Sequence, residues 1–159
     1  MSTAAQRGLI VPAGGGSALW SMGMLMTVKA GDADTESQFS VIEVQLPAGA
    51  APPVHIHHNE AELNYLLEGE MRFQCGDDVQ EAHAGAFVFV PRGVPHAFKA
   101  GPSGARMLAL TSPAGIEQLY EAVGEPAAEP VLPNTPPNIP GWLENASRFG
   151  IEVIGPPLS

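Results

Sequence analysis

Two histidines and a glutamate within one short stretch have the types and the spacing of metal ligands. His55 and His57 are separated by one residue, and Glu62 follows five residues after His57. On a β-strand, residues two apart point to the same face with Cα atoms about 6.7 Å apart. Two imidazoles can therefore reach one ion at about 2.1 Å. Residues 58–61 suffice for a tight turn, so a hairpin could bring Glu62 against the histidines.

A second stretch, residues 85–100, is predicted to form a strand, a turn and another strand. Pro91 fixes φ and ends the first strand, while Gly93 permits a sharp reversal. His96 then lies at the start of the next strand. On its own His96 carries no signal, so its interest depends on whether it meets the first three residues in space.

Together the two stretches resemble the paired motifs of the cupin superfamily. The first motif is Gly-x5-His-x-His-x4-Glu-x6-Gly, and it is matched at every position by Gly49, His55, His57, Glu62 and Gly69. The second is Gly-x5-Pro-x-Gly-x2-His-x3-Asn, and it is matched by Gly85, Pro91, Gly93 and His96. Ala100 stands where asparagine is usual, but that asparagine is not a metal ligand in the family.

This resemblance implies an all-β protein, a small antiparallel jelly-roll barrel with one or two short C-terminal helices. It also implies that a single metal is bound inside the barrel by four ligands: His55, His57, Glu62 and His96. Three imidazoles and a carboxylate facing a barrel interior are costly unless a cation compensates them. Nitrogen and oxygen ligands suit divalent iron, manganese, nickel, cobalt, copper or zinc, and the sequence does not choose among them.

The compact three-histidine, one-glutamate form is similar to the quercetin 2,3-dioxygenase-like cupins. The activity this implies is an oxidoreductase that inserts O₂ into a small enolic or aromatic molecule. Glu62 would then both bind the metal and accept the substrate's hydroxyl proton. Two alternatives stay open, because the fold alone does not decide function. One is a metal-dependent isomerase, cyclase or lyase, and the other is a non-catalytic small-molecule binder.

Three further residues are candidates for a substrate pocket beside the metal. Asn64 shares the strand face of Glu62, and Phe98 shares the face of His96. Phe73 is the third candidate, as an apolar residue of the barrel interior. The neighbours His58 and Glu60 are expected to be turn residues exposed to water.

The surrounding pattern divides the chain into three parts. Residues 1–17 are predicted to be a flexible arm, and residues 18–124 a β-barrel domain, because short apolar runs of period two alternate with turn signals such as Gly101 to Gly104. Residues 125–159 are predicted to form a proline-rich linker and a helical tail, with a second short helix at about 140–149. The N-terminal arm and this helix are expected to cover the barrel mouth.

The period changes to that of a helix at about 113–123. The apolar residues fall at helical spacing, at Ile116, Leu119, Tyr120 and Val123. Ser112 is expected to cap this helix, Pro113 to begin it and Gly124 to end it. The sequence therefore predicts one short amphipathic helix directly after the barrel strands.

Composition limits the partners. The 159 residues include seven Lys or Arg and 17 Asp or Glu, a formal charge of −10. An acidic surface repels phosphate backbones and anionic membranes, so a small-molecule substrate is expected and nucleic acid and membrane are not. A single cysteine, Cys75, and no secretion signal favour the reducing cytoplasm. Cupins of this kind often form dimers, and a homodimer is left open.

Overall fold

Alternation of apolar and polar residues builds the strands of the barrel. In the strand Ser40–Leu46, Ile42, Val44 and Leu46 are buried while the residues between them are exposed or half-buried. Side chains of a strand alternate between faces, so one face packs inward and the other meets water. The computed structural model describes residues 7–159.

Among residues 7–159, ten strands form the sheet, and every pair is antiparallel. They are β1 (Ser17–Ser21), β2 (Met24–Ala30), β3 (Ser40–Leu46), β4 (Pro53–His57), β5 (Ala61–Cys75), β6 (Asp78–His83), β7 (Phe87–Val90), β8 (His96–Ser112), β9 (Glu125–Pro126) and β10 (Ile151–Pro157). One path runs β10-β4-β8-β3-β2-β1-β9, and β5 pairs with β6, β7 and β8. The predicted all-β jelly-roll barrel is confirmed.

The two longest strands, β5 and β8, pair along most of their length. β8 continues through Gly101 to Gly104 as a bulge instead of the predicted turn, because Gly69 lies opposite Ala105 and Met71 opposite Ala100. The glycines allow the two backbones to approach closely, because a Cβ on Gly69 would clash with the carbonyl oxygen of Gly104. The pairing register shifts at the same place. The last glycine of the first motif is therefore explained by packing.

Within residues 7–159 two short α-helices lie after β8, in agreement with the predicted one or two C-terminal helices. They are α1 (Ile116–Val123) and α2 (Ile139–Ala146), with a 3-10 turn at Ser147–Phe149. α1 begins later than predicted, because Ser112 still belongs to β8 and Gly115 is the N-cap residue. In α2 the side chain of Asn138 accepts a hydrogen bond from the Gly141 amide. Within residues 7–159, no helix has the length and apolar character needed to span a membrane.

The C-terminal tail contains a strand that the sequence analysis did not predict. β10 pairs with β4, with Val153 opposite His55 and Ile151 opposite His57. The tail thus flanks the strand that carries the two motif histidines. The predicted flexible arm lies outside the described residues over 1–6, and the three-part division of the chain remains a prediction.

Candidate metal centre

Three strands bring the four predicted ligands to one place. His55 and His57 alternate on β4, and both side chains are buried. Glu62 is near the start of β5, and His96 is the first residue of β8, directly opposite His55 in register. All four residues are at most 8% exposed.

The donor atoms of these residues converge. One ring nitrogen from each of His55, His57 and His96 lies within 4.8 Å of the others. Oε2 of Glu62 lies 3.3 Å from Nε2 of His57 and 3.5 Å from Nε2 of His96. Ligand atoms around one ion stand about 3 Å apart, so a small adjustment would let this cluster hold a metal.

Each histidine is oriented through its other ring nitrogen. Nδ1 of His55 lies 2.7 Å from the carbonyl oxygen of Pro53, and Nδ1 of His96 lies 3.0 Å from that of Val94. A carbonyl oxygen only accepts, so Nδ1 carries a hydrogen and Nε2 is the nitrogen directed at the centre. This is the tautomer that metal-binding histidines adopt.

The donor set fits a cation in a further respect. Nε2 of His96 is buried and makes no hydrogen bond within residues 7–159, although Oε2 of Glu62 lies 3.5 Å away. A buried polar atom without a partner is costly, and native structures rarely tolerate one without a reason. An ion bound between the histidines and Glu62 would supply the missing partner.

The charges inside the centre are set by burial and by the neighbouring rings. Burial, reinforced by His96 and His57, lowers the pKa of His55 to about 4. Burial alone would raise the pKa of Glu62, but its contacts with His96, His57 and Asn64 outweigh this and lower it. Glu62 is therefore a carboxylate and His55 a neutral imidazole, the states in which both bind metals.

Glu60 was expected to be solvated, and that expectation is wrong. Its side chain is buried, and Oε1 lies 2.7 Å from Nδ1 of His57. The turn after β4 folds the carboxylate back under the ring, which leaves Nε2 of His57 facing the centre. The only sequence signal is the three-residue spacing between Glu60 and His57. His58, in contrast, is exposed at the same turn.

An apolar cavity adjoins the centre inside the barrel. His55 and Glu62 form part of its wall, and much of the remainder comes from four methionines: Met22, Met24, Met26 and Met107. From α2, Trp142 also lines it, with its ring centroid 6.0 Å from that of His55. The centre therefore opens onto a space suited to an apolar molecule.

The three predicted pocket residues have different placements. Phe98 lines the cavity. Phe73 packs against Phe98, with ring centroids 5.9 Å apart, and belongs to the core rather than to the cavity wall. Asn64 also lies outside the wall: its amide donates a 2.8 Å hydrogen bond to Oε1 of Glu62, so it orients that carboxylate.

Comparison with known proteins agrees with the fold and the motifs. Residues 42–111 match the family model of the cupin domain, and this segment contains all four residues of the centre. Residues 42–111 are therefore similar in sequence to a cupin domain. Over 149 residues it is 24% identical to quercetin 2,3-dioxygenase of Bacillus subtilis, a match that covers 92% of this chain and 44% of that protein. The chain thus spans less than half the length of this relative.

Solved structures support the same fold. An RmlC-like cupin from Shewanella frigidimarina superimposes with a TM-score of 0.60 at 21% identity, covering 71% of this chain and 98% of that one. A predicted oxalate decarboxylase from Thermotoga maritima has a TM-score of 0.60 at 20% identity, covering 65% and 98%. At these identities the likeness establishes the fold alone.

Proposed function

We propose that the protein binds one divalent transition metal through His55, His57, Glu62 and His96. The observation that carries this proposal is the buried, unpartnered Nε2 of His96, which faces a carboxylate and two further imidazoles. Asn64 and Glu60 hold Glu62 and His57 in the orientation that such a site needs.

Elemental analysis of the purified protein tests the metal proposal and identifies the ion. We expect close to one equivalent in the wild type and a large loss in His96→Ala. His83→Ala is the matched control, because His83 is an exposed histidine outside the barrel interior. Equal metal content in the two variants would contradict the assignment.

We further propose that the protein is a metal-dependent, quercetin dioxygenase-like oxidoreductase acting on a small enolic or aromatic molecule. The relative in Bacillus subtilis and the apolar cavity beside the centre support this class. The bound ion would hold the substrate's oxygen and bring O₂ next to it. Glu62 is the proposed base: its Oε2 accepts the proton of the substrate's hydroxyl, while Oε1 stays bonded to Asn64.

Measuring O₂ consumption with enolic and phenolic substrates tests the reaction, using protein loaded in turn with each candidate metal. Uptake with at least one metal, abolished in Glu62→Gln, is the expected result. If no metal supports uptake, the dioxygenase proposal fails. Turnover under strict anaerobiosis would favour an isomerase, cyclase or lyase, and tight binding without product would favour a binding protein.

The outer surface of the barrel carries exposed apolar side chains. We propose a homodimer that forms through an apolar patch on the outer face of the barrel, defined here as Leu63, Tyr65, Phe87 and Phe89. Tyr65, Phe87 and Phe89 are 46%, 60% and 51% exposed.

The free thiol of Cys75 suits a reducing compartment, and we propose the cytoplasm.

A further inference from the structure

A buried hydroxyl without a partner faces the cavity beside the centre. Thr111, on β8, is only 4% exposed, and its Oγ1 has no hydrogen-bond partner among residues 7–159. In the strand pairing Thr111 lies opposite Glu62 on one side and opposite Ser40 on the other. The hydroxyl is therefore close to the metal end of the cavity, and leaving it unpaired there is costly.

A second hydroxyl lies in the same wall. Tyr120, on α1, also lines the cavity. Burial, together with the charges of Glu62 and Glu60, raises the pKa of this phenol. Tyr120 therefore stays protonated and can donate a hydrogen bond into the cavity.

Ser40 is a further polar residue of this wall, and its side chain is already engaged. The hydroxyl of Ser40 donates to the carboxylate of Glu117, so it is satisfied within the protein. Most of the wall beyond it is apolar, including Ile42 and Val44 as well as the methionines. Free polar capacity is thus concentrated beside Glu62, and an occupant with polar atoms at one end only would match this wall.

We propose that Thr111 and Tyr120 bind the second oxygen of a small, otherwise apolar substrate whose first oxygen is held at the metal. This inference rests on the proposed function and narrows its substrate class to compounds with two neighbouring oxygens, such as enediols, enolic ketones and catechols. Thr111 and Tyr120 would therefore determine specificity, because a substrate that lacks the second oxygen would form no hydrogen bond with either hydroxyl.

Binding of catechol and of phenol to the cobalt-loaded protein under argon tests this inference. The two probes share a ring and differ in one oxygen. Isothermal titration gives their dissociation constants for the wild type, Thr111→Val and Tyr120→Phe. We expect each variant to bind catechol about five-fold more weakly, the effect of one neutral hydrogen bond, and to bind phenol with unchanged affinity. Thr111→Ser restores the hydroxyl and should bind catechol as the wild type does.

The visible spectrum of bound cobalt is the control for the metal ligands, and it should be the same in all four proteins. Unchanged catechol affinity in either variant, with that spectrum intact, overturns the role of the hydroxyl concerned. It would mean that catechol is held by the metal alone. A wild-type protein that takes up no cobalt is a different failure: it overturns the proposed metal site and this inference together.

Discussion

Glu60 orients His57, one of the four proposed metal ligands, without belonging to the ligand set itself. Its carboxylate is the acceptor for Nδ1 of His57, whereas His55 and His96 use backbone carbonyls for the same purpose. A backbone carbonyl cannot be removed by substitution, but a carboxylate can. Glu60 is therefore the position at which the support of the centre can be tested.

We predict that Glu60→Ala lowers metal affinity by about ten-fold or more, because His57 loses the partner that fixes its ring and its tautomer. Glu60→Gln keeps an acceptor oxygen and should recover part of the affinity. Competition with a chromophoric chelator measures both. Glu144→Ala, at an exposed glutamate on α2, is the control. Wild-type affinity in Glu60→Ala would show that the ring is held by packing alone.

At this scale the sequence predicts the residues of a motif and misses those that support them. The spacing of His55, His57 and Glu62 is enough to propose a common site. Glu60 and Thr111 carry no such signal, because their roles depend on how a turn folds back and on which strand lies opposite. Asn64 was placed on the correct face, but its contact with Glu62 depends on a rotamer that spacing does not specify.

Helix α1 is attached to the barrel through a buried carboxylate. Glu117 is 4% exposed and accepts hydrogen bonds from the hydroxyl of Ser40, the amide of Asp32 at 2.7 Å and the amide of Gly115 at 3.0 Å. These donors come from β3, from the loop after β2 and from the start of the helix. Because the N-cap residue Gly115 has no side chain, the Glu117 carboxylate takes over the capping role. It also joins the helix to two other segments of the chain.

We predict that Glu117→Ala lowers the free energy of unfolding by about 3 kcal/mol, because it leaves several buried donors unpaired. Urea unfolding followed by circular dichroism measures the change. Glu121→Ala, at an exposed position of the same helix, should change stability by less than about 0.5 kcal/mol. Similar losses in the two variants would mean that helix propensity, rather than the buried network, accounts for the effect.

The strand β10 supports β4 from the side away from β8. Ile151 is 3% exposed and faces the core, whereas Ile154 on the same strand is 48% exposed. We predict that Ile151→Ala costs about 3 kcal/mol of stability, a typical value for truncating a buried isoleucine. It should also weaken metal binding, since Ile151 pairs with His57.

Ile154→Ala removes the same atoms from the exposed face of the strand and is the matched control. Thermal unfolding and metal competition on both variants separate burial from strand propensity. An equal loss of stability in the two would contradict the inward orientation of Ile151. The sequence analysis missed this strand because its prolines indicate a loop, although Ile151 and Val153 have the spacing of a strand face. Glu117 was likewise missed, because a glutamate beside apolar positions normally indicates a solvated face.

The whole molecule presents its apolar patch on adjacent strands. Tyr65 lies opposite Phe87, and Leu63 lies opposite Phe89, so the four side chains share one outward face of β5 and β7. We predict that the wild type is a dimer by light scattering and that Phe87→Glu is monomeric, with metal content unchanged. Val79→Glu, on β6, introduces the same charge at an exposed apolar residue and should remain dimeric. A monomeric wild type would refute the role of the patch.

At the scale of the whole molecule, the two motifs were sufficient to predict the fold. Their glycines, prolines and proposed ligands have fixed places in one barrel. The cavity was harder to foresee. Its wall combines β2, β3, β4, β5, β8 and both helices, and of the three predicted pocket residues only Phe98 lines it. Nothing in the order of the residues specifies which core side chains leave a gap between them.

If the protein reacts with O₂ as proposed, the four methionines of the cavity wall are exposed to oxidation. A thioether is readily oxidised to the sulfoxide, which is polar and would no longer pack beside Phe98 or Ile42. Any reactive oxygen species released before it reaches a substrate would meet sulfur first. Such an enzyme would lose activity after a limited number of turnovers. Methionine sulfoxide reductases could restore the oxidised side chains.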